Sequence, residues 1–167
     1  MTSSPALPAF RYAWGSAHQL VDVTRPVVLH DRVGDLVAIE ATIRTYGWAI
    51  DENRFDLLRA VLAEDAEFSG VIAGVAVLEA VRGRNVLCAW LEEFMAARSD
   101  QLRHSLGNIV VTELGDKTAT AQCYLTLLAT TREATTVLAT AFYRFTLSRL
   151  DDAWSVETLF AGFDKAF

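Results

Sequence analysis

A histidine stands where a buried β-strand face would form. In QLRHSLGN, residues 101–108, an extended backbone puts Leu102, His104, Leu106 and Asn108 on one face, continued by Val110. Polar groups on such a face need partners, because burial without them costs free energy. Histidine is also the side chain that titrates nearest neutrality, so an imidazole held at one nitrogen can act as a general base at the other. Two further polar candidates, Tyr46 and Asp51, lie near the end of a helical stretch. Other chemistries find less support. Ser69 and Ser105 lack the surroundings of an activated nucleophile. His18 and His30 have no ligand spacing such as HxH or HExxH, so no metal site is expected. Cys88 and Cys123 are far apart in apolar contexts and read as small buried hydrophobes.

The elements that must position these residues follow from periodicity. Leu36, Ile39, Ile43, Tyr46 and Ile50 recur at spacings of three and four, the stripe of an amphipathic helix that Asp35 could cap. FDLLRAVLAED forms a second, short helix with Leu57, Leu58, Val61 and Leu62 inward. AEFSGVIAG (66–74) reads as a strand or hairpin arm with glycines at bends. RNVLCAWLEEFMAAR reads as a third helix, with Val86, Leu87, Trp90, Leu91 and Phe94 on its apolar side. The remainder alternates as strands: 102–113, 117–129 with Ala119, Ala121, Cys123, Leu125 and Leu127 on one face, 135–149, and the segment after LDDA. Helices first and hairpin-connected strands after is the α+β pattern.

The chain has 167 residues, which favours one folded domain over 34–167, preceded by an extension over 1–33 that holds all three prolines. A hydrophobic fraction of 52% suggests an apolar pocket, a buried oligomer interface, or both. The net charge of −6 supplies no basic stripe for nucleic acid. The longest apolar run, 70–81, is broken by Glu79 and too short for a bilayer. MTSSPALPAF has no signal-peptide pattern, so a cytoplasmic location is expected.

The stretch YGWAIDENRFDLLRAVLAEDAEF (46–68), the H-x-x-x-N pattern of His104 and Asn108, GDKTATAQCYL and RLDDAWSV occur in an order that resembles the SnoaL-like polyketide cyclase group. That group belongs to the nuclear transport factor two-like superfamily, and the resemblance covers about 35–163. It implies a cone-shaped α+β barrel, with three helices packed in a highly curved antiparallel sheet. It also implies a cofactor-free lyase or isomerase of dehydratase, cyclase or eliminase type, acting on a small apolar molecule. In dehydratase-type members the aspartate ending the first helix pairs with the strand histidine, which carries over to Asp51 and His104. The carboxylate would fix the tautomer and leave the other nitrogen as base, so losing Asp51 alone would leave partial activity. Tyr46 sits where ketosteroid isomerases place an oxyanion-hole tyrosine. Gly70, however, falls where their catalytic acid would be, and that chemistry is disfavoured. Strands 117–130 and 135–149 also supply no inward acid for the Asp-Arg-Asp set of epoxide-hydrolase-like members.

Trp48, Phe68, Trp90, Phe94, Asn108, Tyr124 and Phe142 are candidates to line a substrate cavity, with core packing the competing role for the aromatics. Two readings of the Asp51–His104 pair stand side by side: a catalytic dyad, or a satisfied core pair fixing helix on sheet. The second goes with a non-catalytic binding or assembly domain, including a role like the small subunit of ring-hydroxylating dioxygenases. Under either reading a homo-oligomer is expected, a dimer first and a trimer as the alternative.

Overall fold

A computed structural model describes residues 30–74 and 76–166. Most of the 1–33 extension, with His18, lies outside the described residues. A 3-10 turn (His30–Arg32) leads into helix α1 (Val33–Asp51) and helix α2 (Phe55–Val61). Strands β1 (Leu62–Ile72) and β2 (Ala76–Arg82) form a hairpin, followed by helix α3 (Arg84–Ala96). Strands β3 (Gln101–Leu114), β4 (Thr118–Thr130), β5 (Thr135–Leu150) and β6 (Ala153–Phe163) complete the chain.

The six strands form one sheet in the order β2-β1-β6-β5-β4-β3. The α+β class is as expected, but the sheet is mixed and unclosed, because β1 and β6 run parallel while every other pair is antiparallel. The reason is topological. The chain crosses from β2 through α3 to the far edge at β3, then returns by three hairpins, so β6 arrives alongside β1 in the same direction. At this junction Gly70 lies so close to Ala161 that a Cβ would stand 2.3 Å from the Ala161 carbonyl oxygen. Gly70→Ala must force β1 and β6 apart, and a loss of about 1–3 kcal/mol is expected from the urea unfolding midpoint.

Ile39, Ile43, Tyr46 and Ile50 are buried beneath α1 as the stripe requires. Asp35 does not cap this helix. Arg32 is the N-cap and makes no side-chain capping bond. One turn inside, Asp35 accepts from Arg32 Nε (2.5 Å), Arg149 Nη1 (3.2 Å) and Trp154 Nε1 (3.0 Å). Guanidinium donors outcompete the backbone N–H groups of its own turn. The Arg32 contact, above all, holds the Asp35 carboxyl below the usual carboxylate range. The start of α1 is thereby fastened to the β5–β6 end of the sheet.

Helix α3 is rotated from the expected orientation. Leu87, Cys88, Leu91 and Met95 face inward, whereas Val86, Trp90 and Phe94 are exposed. Apolar residues cover more of this helix than one contact face can bury, and the side facing β1 takes the Leu87/Leu91 stripe. The outer aromatics are covered in part by neighbours, with Arg98 over Phe94 at 5.2 Å. Leu62, expected inside α2, opens β1 instead. The alternation in β4 holds, with Ala119, Ala121, Cys123, Leu125 and Leu127 buried on the helix side.

Candidate functional site

The end of α1 lies directly on β3, and Gly47 permits the approach. A Cβ at residue 47 would stand 3.0 Å from His104 Cβ and 3.2 Å from Leu106 Cδ1. One turn further along, this brings Asp51 over His104. Asp51 Oδ1 lies 2.6 Å from His104 Nδ1, and Asp51 Oδ2 accepts the backbone N–H of His104 at 2.6 Å. Both side chains are enclosed, with 4% and 8% of their surface exposed. Gln101 Nε2 donates to the Asp51 carbonyl oxygen at 2.7 Å and holds the last turn of α1 against the start of β3. The carboxylate thus spends both oxygens on one residue, fixing the His104 backbone and ring together.

An ionised carboxylate accepts only, so it selects the tautomer with hydrogen on Nδ1. Nε2 then carries the lone pair, and no described residue bonds to it. Beside the pair lies an open depression of about 450 Å³ lined by Arg44, Thr45, Trp48, Asp51, His104, Ser105 and Leu106. It sits between α1 and β3, the edge strand of the sheet among the described residues.

Tyr46 is elsewhere. Five residues separate it from Asp51, about 140° around a helix of 3.6 residues per turn. Its ring packs edge-on against Phe145 at 6.0 Å, and burial pushes its phenol well above the ordinary tyrosine value. Of the residues expected to contact substrate, Trp48 lines the depression. Phe68 is buried against Trp90 on the α3 side (5.4 Å), and Phe94 is on the outer face of α3. Tyr124 and Phe142 face away from the helices, Phe142 beneath Arg144 at 6.0 Å. Asn108 leaves the His104 face altogether. A bulge between Gly107 and Val110 puts it at φ 54°, exposed. An extra residue in a strand breaks the period of two beyond it, and nothing in QLRHSLGN announces one.

Sequence reasoning also passed over Gly47, Gln101, Arg44 and Thr45, which shape or line the site. For Arg44 and Gly47 the signal is helical phase, since residues 44, 47, 48 and 51 follow one side of α1. It likewise passed over Tyr143, buried at the centre of the β5 alternation Ala139, Ala141, Tyr143, Phe145. Burial raises its phenol, with the charges of Tyr46, Cys123 and Asp51 adding to the effect. Among the described residues no group of three or more His, Cys, Asp or Glu side chains could hold a metal ion, and Cys88 and Cys123 are free and buried. No helix of the described residues is long and apolar enough to cross a membrane.

A curved sheet wrapped on three helices, with a carboxylate–imidazole pair between the first helix and the far edge strand, defines a cone-type α+β domain of the nuclear transport factor two-like class. The model of the SnoaL-like domain matches residues 31–159, and the chain belongs to that family. Solved structures of similar shape include a nuclear transport factor two-like protein with a cystatin-like fold from Novosphingobium aromaticivorans. The two are 22% identical, cover 80% of this chain and 84% of that one, and superpose with a TM-score of 0.68. A candidate scytalone dehydratase from the same organism is 20% identical, covering 81% and 88%, with a TM-score of 0.67. The β subunit of a candidate aromatic-ring-hydroxylating dioxygenase, also from that organism, is 15% identical, covering 81% and 94%, with a TM-score of 0.68. None of the curated proteins matches this chain in sequence.

Proposed function

We propose that this domain is a cofactor-free lyase or isomerase in which His104 Nε2 removes a proton from carbon and Asp51 holds the imidazole in the basic tautomer. The observation that carries the reading is the double grip of Asp51 on His104, through ring and backbone, at the edge of an open depression, with no described residue bonded to Nε2. A core pair serving packing alone has no need of an open space beside it. The family includes dehydratase-type members, and one similar structure carries that name, which supports elimination or isomerisation next to a carbonyl or leaving group. Tyr46, buried away from the depression, is assigned to the core. The test is a screen of β-hydroxy ketones, enolisable cyclic ketones and chlorinated cycloalkanes. Conversion of at least one by the wild type and of none by His104→Gln is expected. Ligands that bind both proteins equally and are never converted would overturn the enzyme reading.

The second reading is a non-catalytic binding or assembly domain. It draws on the likeness to a dioxygenase β subunit and on the openness of the depression. Under either reading we propose a homodimer through the outer sheet face, where Tyr124, Phe142 and Phe160 leave aromatic surface uncovered by the helices. Light scattering is expected to give twice the chain mass, and a monomer at every concentration would refute the assembly.

A further inference from the structure

The depression beside His104 has a lining with a chemical preference. On one wall Trp48, 59% exposed, offers an indole to water next to a buried titratable pair, and large aromatics left uncovered beside a cleft are candidate ligand surfaces. Arg44 is one helical turn earlier on the same side of α1, its side chain 65% exposed. One of its nitrogens, Nη2, bonds Glu40 at 2.7 Å; its Nε and Nη1 bond no described residue. The hydroxyls of Thr45 and Ser105 complete the polar lining, and neither has a hydrogen-bond partner among the described residues. Two negative charges oppose an anion here: Glu40, which occupies only Nη2 of Arg44, and Asp51, whose two oxygens are both turned onto His104. A flat apolar wall, a guanidinium with unused donors and two unpartnered hydroxyls therefore converge on one space of about 450 Å³, the size of a small-ligand site.

We propose that this depression binds a planar aromatic molecule of one or two fused rings bearing an anionic oxygen group, with the ring stacked on Trp48 and the anion held by Arg44. A guanidinium offers parallel N–H donors that match a carboxylate or phenolate, and it lies on the same wall as the stacking surface. The inference rests on the reading of His104 as the reactive end of the site, but its test does not.

The test is titration calorimetry of the full chain with two probes of equal ring size, 1-naphthoate and 1-naphthalenemethanol. Wild type is expected to bind the naphthoate at least tenfold more tightly than the neutral alcohol. Arg44→Gln should abolish that preference while leaving the alcohol unaffected. Trp48→Ala should weaken both probes at least tenfold. Both positions are exposed, so thermal melts of the two variants should coincide with wild type, and a variant that melts earlier is replaced by Arg44→Lys or Trp48→Leu. Lys keeps the charge but loses the fork and should retain only part of the preference. Equal binding of both probes by wild type, a preference that survives Arg44→Gln, or affinity untouched at Trp48 would each overturn the proposal. Those results would leave the His104 reading standing, because it is decided by conversion and not by these affinities.

Discussion

His104→Ala is expected to lower turnover on any converted substrate by two to four orders of magnitude, the range that a positioned general base contributes. The fold should survive. His104 lies in the edge strand β3, and its backbone N–H, which meets Asp51 Oδ2, is unchanged by the substitution. What is lost is the ring's bond to Asp51 Oδ1, leaving one oxygen of an enclosed carboxylate without its partner, at a cost of about 1–3 kcal/mol. Activity and stability therefore move by different amounts, and this separates a base from a packing residue. Turnover per folded molecule, with the folded fraction taken from thermal melts, is the quantity to compare. A variant that melts well below wild type yet converts or binds as well per folded molecule would make the pair structural.

The helix–strand pair was legible because it depends on local patterns. The stripe from Ile39 to Ile50 fixes which side of α1 meets the sheet, and alternation around Leu102 and His104 fixes which side of β3 meets the helix. Asp51 at the end of one and His104 near the start of the other then come within reach. What escaped the sequence depends on relations between distant segments. The parallel pairing of β1 with β6 follows from the path of the whole chain, and no residue in either strand encodes it. The orientation of α3 is a competition among apolar residues that cover most of its circumference, decided by what β1 offers. Asn108 was placed beside His104 by a period of two that a bulge interrupts. Gly47 is invisible as a functional residue until β3 is seen 3.0 Å from where its Cβ would be.

Helical phase also explains why Tyr46 and Asp51, though close in sequence, lie on different sides of α1. An oxyanion-hole phenol and a dyad carboxylate on one helix must share a side, and a spacing of five residues puts them about 140° apart. Residues 44, 47 and 48 share the side of Asp51, and two of them line the depression while the third lets it form. Helical phase thus sorts the residues of α1 into a core set and a site set. The resemblance to a family motif groups them without regard to direction.

Asp51→Asn is expected to be as damaging to turnover as loss of the histidine, a stronger effect than the partial activity that a merely supporting carboxylate would imply. The difference comes from the double grip. Asn retains the shape, and its carbonyl oxygen can keep the bond from the His104 backbone N–H at the position of Oδ2. That choice leaves the amide nitrogen facing His104 Nδ1, where the carboxylate had accepted a hydrogen. An amide NH₂ donates, so Nδ1 must accept, and the ring hydrogen moves to Nε2. The nitrogen that should take a proton now carries one. In a serine protease the same substitution leaves the geometry intact and lowers turnover about 10⁴-fold for this reason. Asp51→Ala should show the opposite balance. It strands the backbone N–H of His104 and lowers stability by about 1–3 kcal/mol, but it frees the ring to choose its tautomer. The alanine variant is therefore expected to melt earlier than the asparagine variant and yet convert more substrate per folded molecule. Nitrogen NMR of the imidazole reads the cause directly, with the hydrogen on Nδ1 in wild type and on Nε2 in Asp51→Asn. An asparagine variant with wild-type turnover and an unchanged tautomer would remove Asp51 from the mechanism.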